Sequence, residues 1–250
     1  MSLEIVVVHP DLLGTYGDGG NGVVLAQRAR WRGIGAELVD ATSGEPLPTG
    51  DLYCLGGGED AAQTASAERL RDEGALERAV GRGAVVLAVC AGYQILGRSF
   101  TGADGRARSG VGLLDVRTVK GAGRRAVGEL LAEPADDRLP LLTGFENHGG
   151  LTIRGPDAAP LAQVAAGVGN GDGTEGAVLG RVIGTYLHGP ALARNPALAD
   201  LLLSWATGRR LEPLDDVEEA ALREERISAV RERRARHRVR HRVRYELGSS

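Results

Sequence analysis

Short apolar runs alternate with amphipathic segments along the amino-terminal part of the chain. The apolar runs have the length of single buried strands and lie at Leu3–Val8, Ala36–Val39, Leu52–Leu55 and Ala84–Val89. Gly22–Arg32 and Thr64–Arg82, between them, have apolar residues at helical spacing. This alternation predicts an α/β fold with a mostly parallel, doubly wound sheet, in which ligands bind at the carboxyl ends of the strands.

The pattern changes after about Val111. Short strands separated by turns follow, at Leu113–Thr118, Leu141–Phe145, Leu151–Ile153, Ala177–Val178 and Val182–Tyr186. Helical segments resume from Pro196. Because there is no internal repeat and no long linker, we expect one domain over residues 1–208 and a helical, arginine-rich extension over residues 209–250.

Composition limits the class of protein. The 250 residues are 42% hydrophobic and 25% charged, as in an ordinary globular protein. No apolar run approaches the ~20 residues that span a bilayer, and the amino terminus lacks the basic region and cleavage site of a signal peptide. We therefore expect a cytoplasmic protein. The two cysteines, Cys54 and Cys90, do not make a disulfide framework, which fits a reducing compartment.

The net charge of −3 is unevenly distributed. Between Arg223 and Arg244 there are ten arginines against three glutamates, a local charge of +7 that leaves −10 on the rest of the chain. The simplest interpretation is a solvated helix. Contact with an acidic partner, nucleic acid or the anionic inner surface of a membrane is the alternative. Nucleic acid is disfavoured, because Tyr245 is the only nearby aromatic side chain that could stack on bases.

Cys90 is the strongest candidate for chemistry. The apolar run Ala84–Val89 stops at this cysteine, and the small residues that follow lead into a helical segment. That pattern predicts a sharp elbow that exposes the sulfur and directs the following N–H groups at its target. His188 stands just beyond another predicted strand and could meet Cys90 at the same sheet edge, where an imidazole would serve as base and acid. A capping or turn role for His188 is the alternative.

Three glycine-rich or polar segments add further candidates. Gly56–Gly58 follows a strand and could direct an N–H at an oxyanion, with Ala91 as the second donor, or form only a tight turn. Gly14–Gly22 lacks the endings of nucleotide-binding loops, so we expect a functional or partner-facing loop. Phe145–Gly150 has too few ligands for a metal site, and a turn held by polar side chains is the alternative to a functional role.

Together these motifs resemble the class I glutamine amidotransferases. The motifs are the glycine triplet, Val-Cys-Ala-Gly-Tyr-Gln at the elbow, Gly-Phe-Glu-Asn-His-Gly, and Gly-Thr-Tyr-Leu-His-Gly-Pro. They are most similar to the branch of the cobyric acid synthase glutaminase domain. Within it, the opening His-Pro-Asp-Leu-Leu-Gly-Thr-Tyr-Gly-Asp-Gly-Gly-Asn resembles the glutaminase subunits of lipid II isoglutaminyl synthase. The resemblance covers roughly Ile5–Trp205 and implies a flavodoxin-like fold.

The resemblance also implies roles for particular residues. Cys90 and His188 would be the catalytic pair that converts glutamine to glutamate and ammonia through a thioester. The N–H groups of Gly57 and Ala91 would hold the oxyanion. Arg125, rather than Arg124, would pair with the substrate carboxylate, and Gly57 and Gln94 would also contact glutamine. A solvated arginine pair is the alternative for Arg124 and Arg125.

One departure from many class I enzymes implies a second subunit. Where they place a glutamate two residues after the histidine, this chain has Pro190, and the cobyric-acid-synthase-like branch also lacks that glutamate. We expect a partner subunit, or a distant acid of this chain, to orient His188, and slow glutamine hydrolysis by the isolated chain. The implied partner is a Mur-ligase-like synthetase of the MurT type in a heterodimer. ATP and magnesium would belong to that partner, and this chain would hold no cofactor or metal.

The implied reaction is amidation of the D-glutamate α-carboxyl of lipid II, at the inner face of the cell membrane. Two rival interpretations stay open. The same glutaminase could serve another amidation, such as that of cobyric acid, although those glutaminase regions are usually fused to their synthetase. The chain could instead be a non-catalytic interaction subunit, which the intact Cys90, His188 and Gly56–Gly58 disfavour.

Overall fold

The computed structural model describes residues 2–247, with side chains for residues 2–233 and 235. This part of the chain forms two compact units, residues 2–214 and 215–247. The second unit consists mainly of one long helix, α8 (Val217–Leu247). The domain boundary at residue 208 stays a prediction. Residues 248–250 of the predicted extension, and its arginine side chains at position 234 and beyond residue 235, lie outside the described residues.

The first unit contains the other strands and helices. Its strands are β1 (Leu3–Val8), β2 (Ala36–Ala41), β3 (Leu52–Leu55), β4 (Val85–Val89), β5 (Ser99–Thr101), β6 (Ala107–Ser109), β7 (Val116–Lys120), β8 (Ala126–Pro134), β9 (Leu142–His148), β10 (Gly150–Arg154), β11 (Ala162–Ala166), β12 (Thr174–Glu175), β13 (Ala177–Leu179) and β14 (Val182–Thr185). Its helices are α1 (Pro10–Leu13), α2 (Gly20–Trp31), α3 (Asp60–Glu73), α4 (Ala75–Gly81), α5 (Ala91–Leu96), α6 (Ala191–Arg194) and α7 (Pro196–Thr207).

A six-stranded sheet forms the core, with the strand order β13-β14-β4-β3-β1-β2. The strands from β14 to β2 run parallel, and β13 pairs antiparallel with β14 at one edge. Every residue of β3, β4 and β14 is buried, as expected for a parallel sheet covered on both faces. The predicted mostly parallel sheet is therefore confirmed, and the strands predicted at Leu3–Val8 and Leu52–Leu55 have the observed bounds.

The loops that follow four adjacent strands lie at one edge of this sheet. β14, β4, β3 and β1 are neighbours and all point the same way. The loops that follow them begin at Tyr186, Cys90, Gly56 and His9. Side chains from segments far apart in sequence therefore meet at this edge, as is typical of open α/β sheets.

The segment predicted as one helix over Thr64–Arg82 is two helices, α3 and α4. Gly74 separates them and adopts a φ of 57°, while its N–H donates to the carbonyl of Leu70 and closes α3. Glycine takes this left-handed conformation at no steric cost. The prediction of a single helix was wrong because the apolar spacing continues across the break.

Two smaller four-stranded sheets occupy the region after α5, with the orders β10-β7-β5-β6 and β12-β11-β8-β9. Strands β5, β6, β8, β11 and β12 were not predicted from the sequence. The longest of them, β8, pairs with both β9 and β11. Its sequence mixes apolar, acidic and glycine residues without a two-residue alternation, so its strand character comes from its partners rather than its own pattern.

Candidate active site

Cys90 occupies a strained position between a strand and a helix. It follows the last residue of β4 and precedes the first residue of α5, with φ 53° and ψ −104°. A positive φ costs a non-glycine residue about 1–3 kcal/mol, so the surrounding structure must hold it. The N–H of Cys90 donates to the carbonyl of Thr185 at 2.9 Å, which ties the elbow to the end of β14. The sharp elbow expected at Cys90 is present.

The two cysteines lie in contrasting environments. Cys54 lies within β3, and burial raises the pKa of its thiol to about 12. Cys90 instead lines a cavity at the carboxyl edge of the sheet, with its Sγ 4.0 Å from the carbonyl oxygen of Asn147. Cys90 is therefore the thiol that a small molecule can reach.

His188 lies just after β14, and its ring is held by an aspartate. Its backbone pairs with Phe145 through two hydrogen bonds of 2.9 and 3.1 Å. Its Nδ1 lies 2.9 Å from Oδ2 of Asp18. Because a carboxylate only accepts hydrogen bonds, Nδ1 carries a proton and the opposite nitrogen, Nε2, is left for other chemistry. Nε2 is buried and makes no well-formed hydrogen bond among the described residues.

The surroundings of His188 favour its protonated form. Burial lowers its pKa, but the interactions with Asp18 and with the Cys90 sulfur outweigh burial and raise the pKa from 6.5 to about 10. A protonated imidazole beside a cysteine stabilises the thiolate, the nucleophilic form of the side chain. The structure therefore brings Cys90 and His188 close enough to interact, each just beyond the end of a parallel strand.

Asp18 is the functional residue that sequence reasoning missed. It is 170 residues away from His188 and lies in the glycine-rich loop Gly14–Gly22 that follows β1 and α1. Asn21, in the first turn of the helix α2 that follows Asp18, contacts the segment after His188, because its Oδ1 accepts a hydrogen bond from the N–H of Leu192 at 2.9 Å. The sequence signal that could have found Asp18 is a single acidic residue among glycines. It lies in a loop after β1, one of the strands that end at the edge of the sheet where Cys90 and His188 lie.

The glycine triplet after β3 packs against the same carboxylate. The N–H of Gly57 donates to Oδ2 of Asp18 at 3.0 Å. A Cβ at Gly57 would lie 2.8 Å from the ring of Tyr16 and 2.9 Å from the ring of His188, so no larger residue fits there without displacement. The part of Gly57 in an oxyanion hole stays a prediction, since its N–H is engaged by Asp18.

Two other N–H groups are available at the cavity. Gly58 and Ala91 both line it. No hydrogen bond to either N–H is found among the described residues. Gly58 lies two residues before α3, and Ala91 is the first residue of α5. Both residues therefore border the cavity that Cys90 also lines.

The cavity has a volume of about 340 Å³. That is at the small end for ligand sites, which suits an amino acid better than a nucleotide. Its charged lining residues are Asp60, Lys120 and Arg125, and its other polar lining residues include Gln63, Gln94, Thr118 and His148. The lining therefore offers a carboxylate and two cations to a zwitterionic substrate.

Arg125 and Gln94, both predicted to contact glutamine, line this cavity, whereas Arg124 does not. The amide of Gln94 is already engaged. Its Nε2 donates to the hydroxyl of Tyr186 at 3.2 Å, and its Oε1 accepts from Gln63 at 2.9 Å. Direct contact between Gln94 and substrate stays a prediction. In the structure its amide links Gln63, which also lines the cavity, to Tyr186.

The segment Phe145–Gly150 comprises the end of β9, Gly149 and the first residue of β10, and its last three residues line the cavity. The side chains of Glu146 and His148 are both buried, with Oε2 and Nε2 3.3 Å apart. The His148 ring stacks on the Tyr186 ring at a centroid distance of 3.7 Å. In the part of the chain that the structure describes, no group of three or more His, Cys, Asp or Glu residues is arranged to hold a metal ion.

A buried acid behind β14 was also missed. Oε1 of Glu175 accepts hydrogen bonds from the Thr185 hydroxyl and from the Tyr186 N–H, the latter at 2.8 Å. Its other oxygen, Oε2, is buried with no hydrogen-bond partner among the described residues. Burial raises the pKa of Glu175 from 4.5 to about 7. Glu175 thus supports the strand that leads to His188.

The fold and the site define the class of protein as a glutamine amidotransferase. Residues 4–196 match the CobB/CobQ-like glutamine amidotransferase domain, and the chain belongs to this family. One crystal structure of a glutamine amidotransferase has a TM-score of 0.58 and 22% identity, over 81% of this chain and 98% of that one. Another glutamine amidotransferase structure, from Thermotoga maritima, has a TM-score of 0.55 and 19% identity, over 89% of this chain and 96% of that one. Both support the fold.

Within the family, the chain belongs with the GatD subunits. The subunit GatD of lipid II isoglutaminyl synthase (glutamine-hydrolyzing) from Staphylococcus aureus is 35% identical over 86% of this chain and 89% of that protein. GatD from Streptococcus pneumoniae is 32% identical over 83% of this chain and 82% of that protein. Cobyric acid synthase from Methylorubrum populi is 39% identical, but over 62% of this chain and only 32% of that protein.

The contact between Asp18 and His188 predicts a measurable pKa change. Asp18→Asn removes the negative charge, so burial dominates and the pKa of His188 should fall by about one to three pH units. A histidine NMR titration of the variant, with His188→Gln used to assign the signal, measures this value. An unchanged pKa would show that Asp18 does not control the charge of His188.

The same change should alter stability with pH in a defined direction. Because folding raises the pKa of His188, its stabilising contribution is complete below pH 6.5 and is lost as the pH rises through about 10. The difference in unfolding free energy between the wild type and Asp18→Asn should therefore be largest below pH 6.5 and shrink above it. Urea titrations across this range measure that difference.

Glu175 should add a pH dependence of the same sign over a lower pH range. Folding raises the pKa of this acid, so its contribution to stability falls as the pH rises from 4.5 to about 7. Glu175→Gln should remove that loss, so its unfolding free energy relative to the wild type should be about 3 kcal/mol higher at pH 8 than at pH 4.5. Urea unfolding measures it, with the exposed Glu133→Gln as control. Equal gains in both variants would contradict this assignment.

Proposed function

We propose that the chain is the glutaminase subunit of a two-subunit lipid II isoglutaminyl synthase. The observation that carries this proposal is the Cys90 thiol on its elbow beside His188, whose ring Asp18 orients. The identity to GatD subunits from two organisms, over more than four fifths of the chain, supports the choice of reaction.

The first half of the reaction forms a thioester. The Cys90 thiolate attacks the side-chain amide carbon of L-glutamine, and the carbonyl oxygen becomes an oxyanion. The N–H of Ala91 and a glycine N–H stabilise it, each worth about 3–4 kcal/mol. Gly57 was the predicted glycine, but Gly58 is the one that lines the cavity. Nε2 of His188 then gives its proton to the amide nitrogen, the C–N bond breaks, and ammonia leaves.

The second half restores the enzyme. Neutral His188 accepts a proton from water through Nε2, and the oxygen attacks the thioester carbonyl carbon. The C–S bond breaks, glutamate leaves, and the thiolate and the imidazolium form again. Asp18 holds the proton on Nδ1 throughout, so Nε2 is the nitrogen that exchanges protons in both halves.

The cavity lining supports glutamine as the substrate. Arg125 would pair with the α-carboxylate in a two-bond arrangement. Asp60 is the carboxylate among the described lining residues and would pair with the α-ammonium group. The side-chain amide of a glutamine held in this way points toward Cys90.

The ammonia would pass to a Mur-ligase-like synthetase of the MurT type, with which this chain forms a heterodimer. That partner would use ATP and magnesium to activate the α-carboxyl of D-glutamate in lipid II, and ammonia would convert it to D-isoglutamine during peptidoglycan biosynthesis. The complex would act in the cytoplasm, at the inner face of the membrane. Among the described residues, no helix is long and apolar enough to cross that membrane.

Substitution of the two cysteines tests the glutaminase assignment. Cys90→Ser should lower kcat for glutamine hydrolysis at least about 1000-fold, because the nucleophile is lost. Cys54→Ala, which removes the buried thiol of β3, should leave kcat within about 3-fold of wild type. Glutamate release by the isolated chain and by its complex with the synthetase measures both, and the complex should be the faster. Equal activity of Cys90→Ser and wild type would reject the assignment.

A further inference from the structure

Asn147 holds the guanidinium of Arg125 with two hydrogen bonds. Nε of Arg125 donates to the side-chain Oδ1 of Asn147 at 2.6 Å, and Nη2 donates to its backbone carbonyl at 2.9 Å. Arg125 is otherwise exposed, one residue before β8, and no ion pair of its side chain is found among the described residues. Asn147 therefore decides which way the arginine points.

These contacts leave one edge of the guanidinium for a ligand. A guanidinium can bind a carboxylate through its Nε–Nη2 edge or through its Nη1–Nη2 edge. Asn147 occupies the first edge, so the second edge is the one presented to the cavity that Arg125 lines. A guanidinium held in this way loses less conformational entropy on binding a carboxylate than a freely rotating one does.

The same residue also approaches the nucleophile. The carbonyl oxygen that accepts from Arg125 lies 4.0 Å from Sγ of Cys90. Asn147 is fixed in β9 by pairing with Val127 of β8, and the side chains on either side of it, Glu146 and His148, are buried. One rigid residue thus sets the separation between the reactive sulfur and the carboxylate-binding cation.

We propose that Asn147 is a positioning residue that sets the length of amino-acid amide the site accepts. With the α-carboxylate held at Arg125, the amide carbon of glutamine reaches Cys90, whereas that of asparagine, one methylene shorter, falls short. This inference rests on the proposed glutaminase function and adds a residue for selectivity to it. Asn147 acts through Arg125 and does not itself react.

Steady-state kinetics with glutamine and asparagine test this role. Asn147→Ala should raise the KM for glutamine about 10- to 100-fold and leave kcat within about 3-fold, because Nε of Arg125 loses its side-chain acceptor while the backbone carbonyl and the nucleophile stay intact. The preference for glutamine over asparagine in kcat/KM should fall about 10-fold. Val127→Ala, which shortens the exposed side chain opposite Asn147, should change neither quantity.

A double-mutant cycle separates positioning from a general structural effect. Arg125→Ala should raise the KM by itself, and adding Asn147→Ala to it should change the KM by less than about 2-fold. Should Asn147→Ala fail to fold in thermal unfolding experiments, Asn147→Ser, which keeps a small polar side chain, is measured by the same criteria.

Two outcomes would overturn the inference. One is an unchanged KM and unchanged selectivity in Asn147→Ala. The other is an equal rise in KM with and without Arg125, which would show that Asn147 does not act through the arginine. A wild-type protein that fails to hydrolyse glutamine, alone and with its synthetase, would reject the proposed function instead.

Discussion

The hydrogen bond between His188 and Asp18 joins the two sides of the active-site edge. His188 follows β14 and Asp18 follows β1, and the strands β4 and β3 lie between them in the sheet. The bond therefore spans the strand ends that carry Cys90 and the glycine triplet. Because it fixes the proton on Nδ1, it also decides that Nε2 is the nitrogen available to the reaction. The chemistry of the site depends on this contact.

The same carboxylate couples the histidine to the glycine triplet. Oδ2 of Asp18 accepts hydrogen bonds from both His188 and Gly57. A buried acceptor shared by two donors keeps both elements in register, as second-layer contacts do around other reactive groups. Where many class I enzymes have a glutamate, this chain has Pro190, and the orienting acid comes instead from the other end of the chain. The expectation of a distant acid in this chain is met by that geometry.

The site residues that could be predicted from the sequence are those that directly follow a strand of the parallel sheet. Cys90 and His188 each follow a short apolar run, and parallel strands bring such positions together. Asp18 could not be found in that way, because its loop has no periodic pattern and its partner is 170 residues away. The choice of Arg125 over Arg124 came from the family resemblance rather than from periodicity. In the structure Arg125 lines the cavity with its guanidinium hydrogen-bonded to Asn147 of β9, and the strand that follows it, β8, was not predicted.

The central claim is that Cys90 forms a thioester with glutamine and that Asp18, through His188, supports this step. Mass spectrometry of acid-quenched reactions tests it most directly, by following a glutamyl adduct on the Cys90 peptide over time. We predict an adduct in the wild type that forms about 10- to 100-fold more slowly in Asp18→Asn. Glutamine hydrolysis without an adduct on Cys90, or an adduct that forms equally fast in Asp18→Asn, would contradict the account.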